Sequence, residues 1–183
     1  MRYARHVGLL LLVLITAASA RKRDPLTEAE ADQIRHAALE PHTRLKLFIK
    51  FTDVRVTTME QLRSDPKPAG GRGAKMRETL EDFTALLDEI NDNLDQYQGR
   101  PLTKDDRKDF RKGLSEVVTA CDQWEQKLKT LQTSVENDPA MRNDSRDFKF
   151  ALKDAEDALQ STAAMAREYS EIKDADDKPA KKK

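Results

Sequence analysis

The sequence predicts an all-α protein, an antiparallel up-down four-helix bundle with one short extra helix before it. Three long stretches repeat apolar residues at alternating spacings of four and three, the a/d pattern of coiled coils, which places them on one stripe of a helix. Charged residues make up 36% of the 183 residues and aromatic residues only 5%, as is typical of bundles with ionic outer faces. Because an amphipathic helix is not stable alone in water, each stripe predicts partner helices.

Residues 1–20 have the three parts of a secretory signal peptide and are set aside from the fold. Arg2 and Arg5 form a basic start, an apolar run broken by one glycine covers 7–15, and Ala18-Ser19-Ala20 is a small-residue cleavage site. The apolar run is shorter than the roughly 20 residues that cross a membrane. We therefore expect an exported protein, periplasmic or secreted, whose mature chain does not span a membrane.

The composition of the mature chain narrows the classes of function. The leader contains two arginines and no acid, so 31 basic and 33 acidic residues remain, and this balance argues against a nucleic-acid partner. The single cysteine, Cys121, cannot form an internal disulfide, and its place on a helical stripe predicts a small buried residue. The length fits one domain over 21–173, followed by a disordered charged tail over 174–183.

The short N-terminal helix is predicted over about 27–39. Thr27 and Glu30 have the spacing of a capping box, in which each side chain accepts a hydrogen bond from the other residue's free backbone N–H. Pro41 ends this helix, because the residue before a proline disfavours helical geometry. Its thin apolar face predicts weak docking on the bundle.

The first bundle helix, predicted over about 43–63, has the least regular pattern. Every second residue from 45 to 51 is apolar, as in a strand, but the chain offers no second strand to pair with it. We therefore predict a helix with more apolar surface than four-helix packing buries. The excess forms the predicted partner surface, which consists of Leu47, Phe48, Phe51 and Val54.

The loop over 64–73 contains two prolines and three glycines, which exclude regular structure and predict a flexible connector. Its Gly70-Gly71-Arg72-Gly73 stretch matches neither the P-loop nor the dinucleotide fingerprint.

The three long helices are predicted over about 74–98, 103–136 and 145–172. Thr103 is a good N-cap for the middle one, and Asn137-Asp138-Pro139 is expected to stop it. The short turns predict that consecutive helices are antiparallel neighbours. The apolar stripe of the middle helix contains Phe110, Leu114, Val117, Cys121, Trp124, Leu128, Leu131 and Val135.

The residues that could support chemistry form no known motif, and we predict neither an enzyme nor a catalytic, cofactor or metal site. His36 and His42 lack the Glu-x-x-His spacing of bundle di-iron sites, so surface histidines are expected, with a His36–Glu40–His42 surface site as the alternative. The acids of the long helices lie off the apolar stripes and are expected on solvated faces; they are Glu81, Asp82, Asp88, Glu89, Asp92, Glu116, Asp122 and Glu125.

The predicted function is that of an exported, non-catalytic helical bundle that binds a protein or an envelope-surface partner. The alternative is a bundle that holds a small apolar ligand or cofactor between its helices, near Trp124 and Phe83.

Overall fold

A computed structural model describes the protein over residues 24–66, 70–99 and 103–171. Within these ranges all regular elements are helices: α1 (Glu28–His36), α2 (Pro41–Ser64), α3 (Arg72–Gln98), α4 (Lys104–Asn137) and α5 (Pro139–Glu171). The prediction of a helical bundle with a short N-terminal helix is confirmed, and the uncertain segment after Pro41 is helical throughout. The predicted signal peptide and charged tail lie outside the described residues.

Helices α2 to α5 form the bundle, and their directions alternate as predicted. α2 and α4 are parallel, because His42 contacts Glu116 while Glu60, further along α2, pairs with Lys127, further along α4. α3 and α5 are also parallel, because Arg72 pairs with Asp144 and Asp95 accepts a hydrogen bond from Tyr169.

The order of the helices around the bundle differs from the prediction in one respect. α2 and α5 each pack against both α3 and α4, so α3 and α4 lie across the diagonal although a short connection joins them. Aromatic side chains bridge this diagonal. Phe83 meets Trp124 edge to face at 5.9 Å between ring centroids, and Tyr97 meets Phe110 at 5.8 Å. Large rings allow two helices that are not direct neighbours to contact each other through the core.

The apolar stripes form the core of the bundle as the spacing predicts. On α4, every stripe residue from Phe110 to Leu131 is buried, and Val135 packs against the core at its edge. The corresponding residues of α3 are also buried; they are Met76, Leu80, Phe83, Leu87, Ile90, Leu94 and Tyr97.

α5 begins six residues before the predicted start at Ser145. The Asp138 carboxylate accepts a hydrogen bond from the N–H of Ala140 at 2.8 Å, and the Asp138 carbonyl accepts one from the N–H of Arg142 at 2.9 Å. Asp138 therefore caps α5 while Pro139 occupies its first position, where the missing N–H costs nothing. The proline that ends α4 also starts α5.

The glycine-rich end of the connector brings α3 close to α5. Gly71 has a φ of 86°, and α3 begins at the next residue. A Cβ on Gly73 would lie 2.6 Å from the backbone oxygen of Asp144 and 2.8 Å from a carboxylate oxygen of Asp147. Arg72 Nε donates to Asp144 at 2.5 Å. This end of the connector thus serves helix packing.

We expect Gly73→Ala to destabilise the protein by about 1–3 kcal/mol, because the added methyl group would push against backbone rather than against a side chain that can move. The matched control is Gly70→Ala, since nothing lies within 4 Å of a Cβ at Gly70 and its effect should stay within about 0.5 kcal/mol. Urea unfolding of both variants measures the difference. Equal stabilities would contradict the close approach.

Candidate functional site

The structure places most of the predicted partner surface inside the protein. Phe48 and Phe51 are 0% and 2% exposed, and Leu47 is partly buried against the core. Only Val54, which is 47% exposed, lies at the surface. Phe48 and Phe51 are therefore not accessible in the folded chain, whereas Leu47 is partly covered and Val54 is exposed. Both phenylalanines belong to the core that the bundle helices share, and α1 packs on α2 as well.

α1 is attached to α2 by a buried ion pair that the sequence analysis did not anticipate. Arg55 Nη1 and Nη2 donate to the two carboxylate oxygens of Glu30 at 2.6 and 2.7 Å, and Nη2 also donates to the carbonyl of Pro25. The two side chains are only 10% and 12% exposed. This bidentate geometry fixes the position of α1 along α2 as well as its distance.

Glu30 also takes part in capping the start of α1. Its Oε2 accepts a hydrogen bond from the N–H of Thr27 at 2.8 Å, while the Thr27 hydroxyl accepts one from the N–H of Glu30 at 3.3 Å. The predicted capping box is confirmed. One carboxylate therefore both starts α1 and docks it.

The Glu30–Arg55 pair fixes one point of contact between α1 and α2. Ile34 and Ala37 follow Glu30 by four and seven residues, on the same side of α1. Both side chains are buried. Glu30, Ile34 and Ala37 therefore form the side of α1 that packs against the rest of the protein.

The ion pair shifts the pKa values of its two members in opposite directions. The hydrogen bonds from Arg55 lower the pKa of Glu30, and the same bonds raise the pKa of Arg55. The negative charge of Asp82 on α3 raises the pKa of Arg55 further. Asp82 itself is buried, which corrects the prediction that it lies on a solvated face.

A groove of about 330 Å³ runs between α4 and α5. Its apolar floor is formed by Cys121, Leu128, Leu159 and Ala163, and its polar rim by Asp122, Glu125, Lys129, Gln132, Glu156, Gln160 and Arg167. Arg167 pairs with Asp122 across the rim at 2.7 Å, and Lys129 pairs with Glu125 at 2.8 Å. The rim therefore presents exposed charges of both signs above an apolar base.

In the region around Phe83 and Trp124, which the sequence proposed for an apolar ligand, both side chains are buried and contact each other edge to face. The indole N–H of Trp124 donates to Asp53 of α2 at 2.7 Å. Trp124 thus links α4 to α2 and α3.

The histidines are held apart by different partners. His36 contacts the carbonyl of Asp32 in its own helix at 2.7 Å, whereas His42 lies 3.1 Å from Glu116 of α4. The prediction that both are solvated holds for His36 only, because the His42 side chain is largely buried between α2 and α4. In the described ranges, no three His, Cys, Asp or Glu residues gather in a way that could hold a metal ion.

Among the helices of the described residues, none is both long and apolar enough to cross a membrane. No protein-family model, curated protein or solved structure matches the chain.

Arg55 is the main site residue that sequence reasoning missed, although the sequence contains a signal for it. Its position follows Phe48 and Phe51 at spacings of seven and four, which puts a permanent charge in phase with an apolar stripe. A charge in that phase predicts a buried partner of opposite sign.

We expect Glu30→Gln to weaken the docking of α1 by about 1–3 kcal/mol, because a charge-assisted pair is lost and Arg55 stays buried. Since the folded pKa of Glu30 lies below its ordinary value of about 4.3, the pair contributes in full above that pH. Its contribution is lost as the pH falls through the lowered pKa. Hydrogen exchange of the α1 amides between pH 3 and 7 should show the variant and the wild type converging in acid.

The control for this measurement is Glu28→Gln, which alters an exposed acid in the first turn of the same helix. Its effect should be that of the helix dipole alone, about 0.3–1 kcal/mol. If Glu28→Gln opened α1 as much as Glu30→Gln does, the ion pair would not be what docks the helix.

We expect the Cys121 thiol to resist alkylation in the folded protein. The thiol is buried, and burial raises its pKa to about 12, so at pH 8 only about 0.01% is thiolate, the reactive form. Iodoacetamide labelling followed by mass spectrometry should show little product until urea unfolds the bundle. Rapid labelling without denaturant would mean that the groove opens as far as its floor.

Proposed function

We propose that the protein is an exported, non-catalytic helical bundle that binds a protein or an envelope-surface partner through the groove between α4 and α5. The groove is the single observation that supports this function. It combines an apolar floor with exposed, oppositely charged side chains at its rim. Protein interfaces have this organisation, with an apolar centre that excludes water and a polar rim that selects the partner.

The floor favours a partner with one large apolar anchor. Cys121 and Ala163 are small side chains in the groove lining, which also contains Leu128 and Leu159, so they leave space within the groove. An aliphatic or aromatic side chain of the partner would fill this space, and basic or acidic neighbours would meet the rim.

A small apolar ligand or cofactor is the second candidate for the same groove. Its volume of about 330 Å³ lies at the lower end of the range for small-molecule sites, about 300–1,000 Å³. Native mass spectrometry of protein purified from its source distinguishes the two candidates. A bound mass of a few hundred daltons that Ala163→Gln removes would favour the ligand.

Site-specific photo-cross-linking tests the proposed interface. A photoreactive residue at Gln132, on the groove rim, should give a defined cross-linked product in the envelope fraction of the source cell. The same residue at Gln126, which is exposed on α4 but does not line the groove, should give little. Filling the groove with Ala163→Gln should remove the product at position 132. Equal products at positions 126 and 132 would contradict the proposal.

A further inference from the structure

We infer that the face of α2 beneath α1 is a second binding site, which α1 occupies within the chain and which a partner's amphipathic helix takes by displacing it. The helix that fits has a carboxylate, an aliphatic residue four positions later and a small residue three positions after that. This inference rests on the proposed partner-binding function, but it concerns a different surface.

α1 stands apart from the four-helix bundle. The bundle closes through the contacts of α2 and α5 with α3 and α4, whereas α1 packs mainly on α2. α1 has nine residues, and an isolated helix of that length is unstable in water. Release of α1 would therefore leave the four-helix packing in place while the segment loses its helical structure.

The seat on α2, which is the face around Arg55 that α1 covers, is specific in its chemistry. Arg55 is 8% exposed overall, and α1 offers it both oxygens of Glu30 together with the carbonyl of Pro25. With α1 removed, Arg55 would lose these hydrogen bonds and keep Asp82 of α3 as a nearby negative charge. Because bidentate, charge-assisted hydrogen bonds are strong, the vacated seat favours an occupant that supplies a carboxylate to Arg55.

α1 itself defines the apolar part of the occupant. Ile34 and Ala37, four and seven residues after Glu30, are buried, and Leu26, four residues before Glu30, packs against the core as well. An occupant helix therefore needs apolar residues on both sides of its carboxylate.

The link between α1 and α2 leaves α1 free to open. Residues 37–40 form a turn with hydrogen bonds from Ala38 to Arg35 and from Glu40 to Ala37. Ala37 is buried together with α1, whereas Leu39 is 95% exposed, so the rest of the link buries little apolar surface. Opening of the turn breaks local hydrogen bonds that water can replace.

The test uses the full chain and a fluorescently labelled peptide of residues 24–39 as the probe. Ile34→Asp in the chain releases α1 without altering the seat on α2. Because a docked α1 competes with the peptide at high effective concentration, the released variant should bind the peptide at least about tenfold more tightly than the unaltered chain. Fluorescence anisotropy measures both affinities, and circular dichroism checks that the bundle remains helical.

The chemistry of the seat is tested in the released background. Arg55→Met should weaken peptide binding at least about tenfold, whereas Arg63→Met, the same change further along α2, should leave it within about twofold. A peptide with Ile34→Asp should not bind. Equal peptide binding by the unaltered and released chains, or equal effects of Arg55→Met and Arg63→Met, would overturn the inference.

Light scattering of the unaltered chain tests whether α1 of a second copy occupies the seat. A dimer that Ile34→Asp dissociates would assign the seat to α1 of a second copy and would also overturn the inference. The peptide experiment does not involve the groove between α4 and α5. Its failure would therefore leave the cross-linking result at position 132 unchanged, and failure of the cross-linking would leave the peptide result unchanged.

Discussion

The buried ion pair between Arg55 and Glu30 is the interaction on which the arrangement around α2 depends. A guanidinium cannot give up its proton in a protein, so α2 can bury Arg55 only beside a carboxylate. Asp82 of α3 lies near enough to act on Arg55, but the carboxylate that accepts its bidentate hydrogen bonds is Glu30, from a helix whose own first turn it completes through Thr27. Docking and helix formation are therefore coupled. Such a pair adds little net stability compared with an apolar pair of the same size, but it admits one register.

The sequence was sufficient to predict the helices of the bundle because each long helix has one apolar stripe with a constant spacing. It was less sufficient for α2, where nearly every side of the first half is apolar. This pattern arises because α2 has two packing partners, the bundle on one side and α1 on the other. Periodicity indicates how many faces are buried, but it does not identify which element covers each of them.

The site was less predictable than the fold, and Phe48 and Phe51 illustrate why. Their excess apolar character was recognised and assigned to a partner, whereas the structure buries both side chains in the core. The groove between α4 and α5 could not be predicted at all. It arises where small side chains, Cys121 and Ala163, face each other across two helices, and that depends on the relative register of α4 and α5. Likewise, the sequence identifies Pro139 as the end of one helix, but it does not show that Asp138 caps a second helix whose first residue is Pro139.

The groove between α4 and α5 and the seat on α2 differ in how much rearrangement the binding of a partner requires. The groove between α4 and α5 is already open, and its charges are paired with each other at the rim, so binding there requires little rearrangement. The seat on α2 is closed by α1, so binding there first requires the loss of the Glu30–Arg55 pair. A partner that supplies an equivalent carboxylate replaces that pair, whereas a purely apolar helix leaves Arg55 beside Asp82 without its bidentate hydrogen bonds. The buried charge therefore selects among amphipathic helices by the position of one acid, a discrimination that an apolar groove of the same shape would lack.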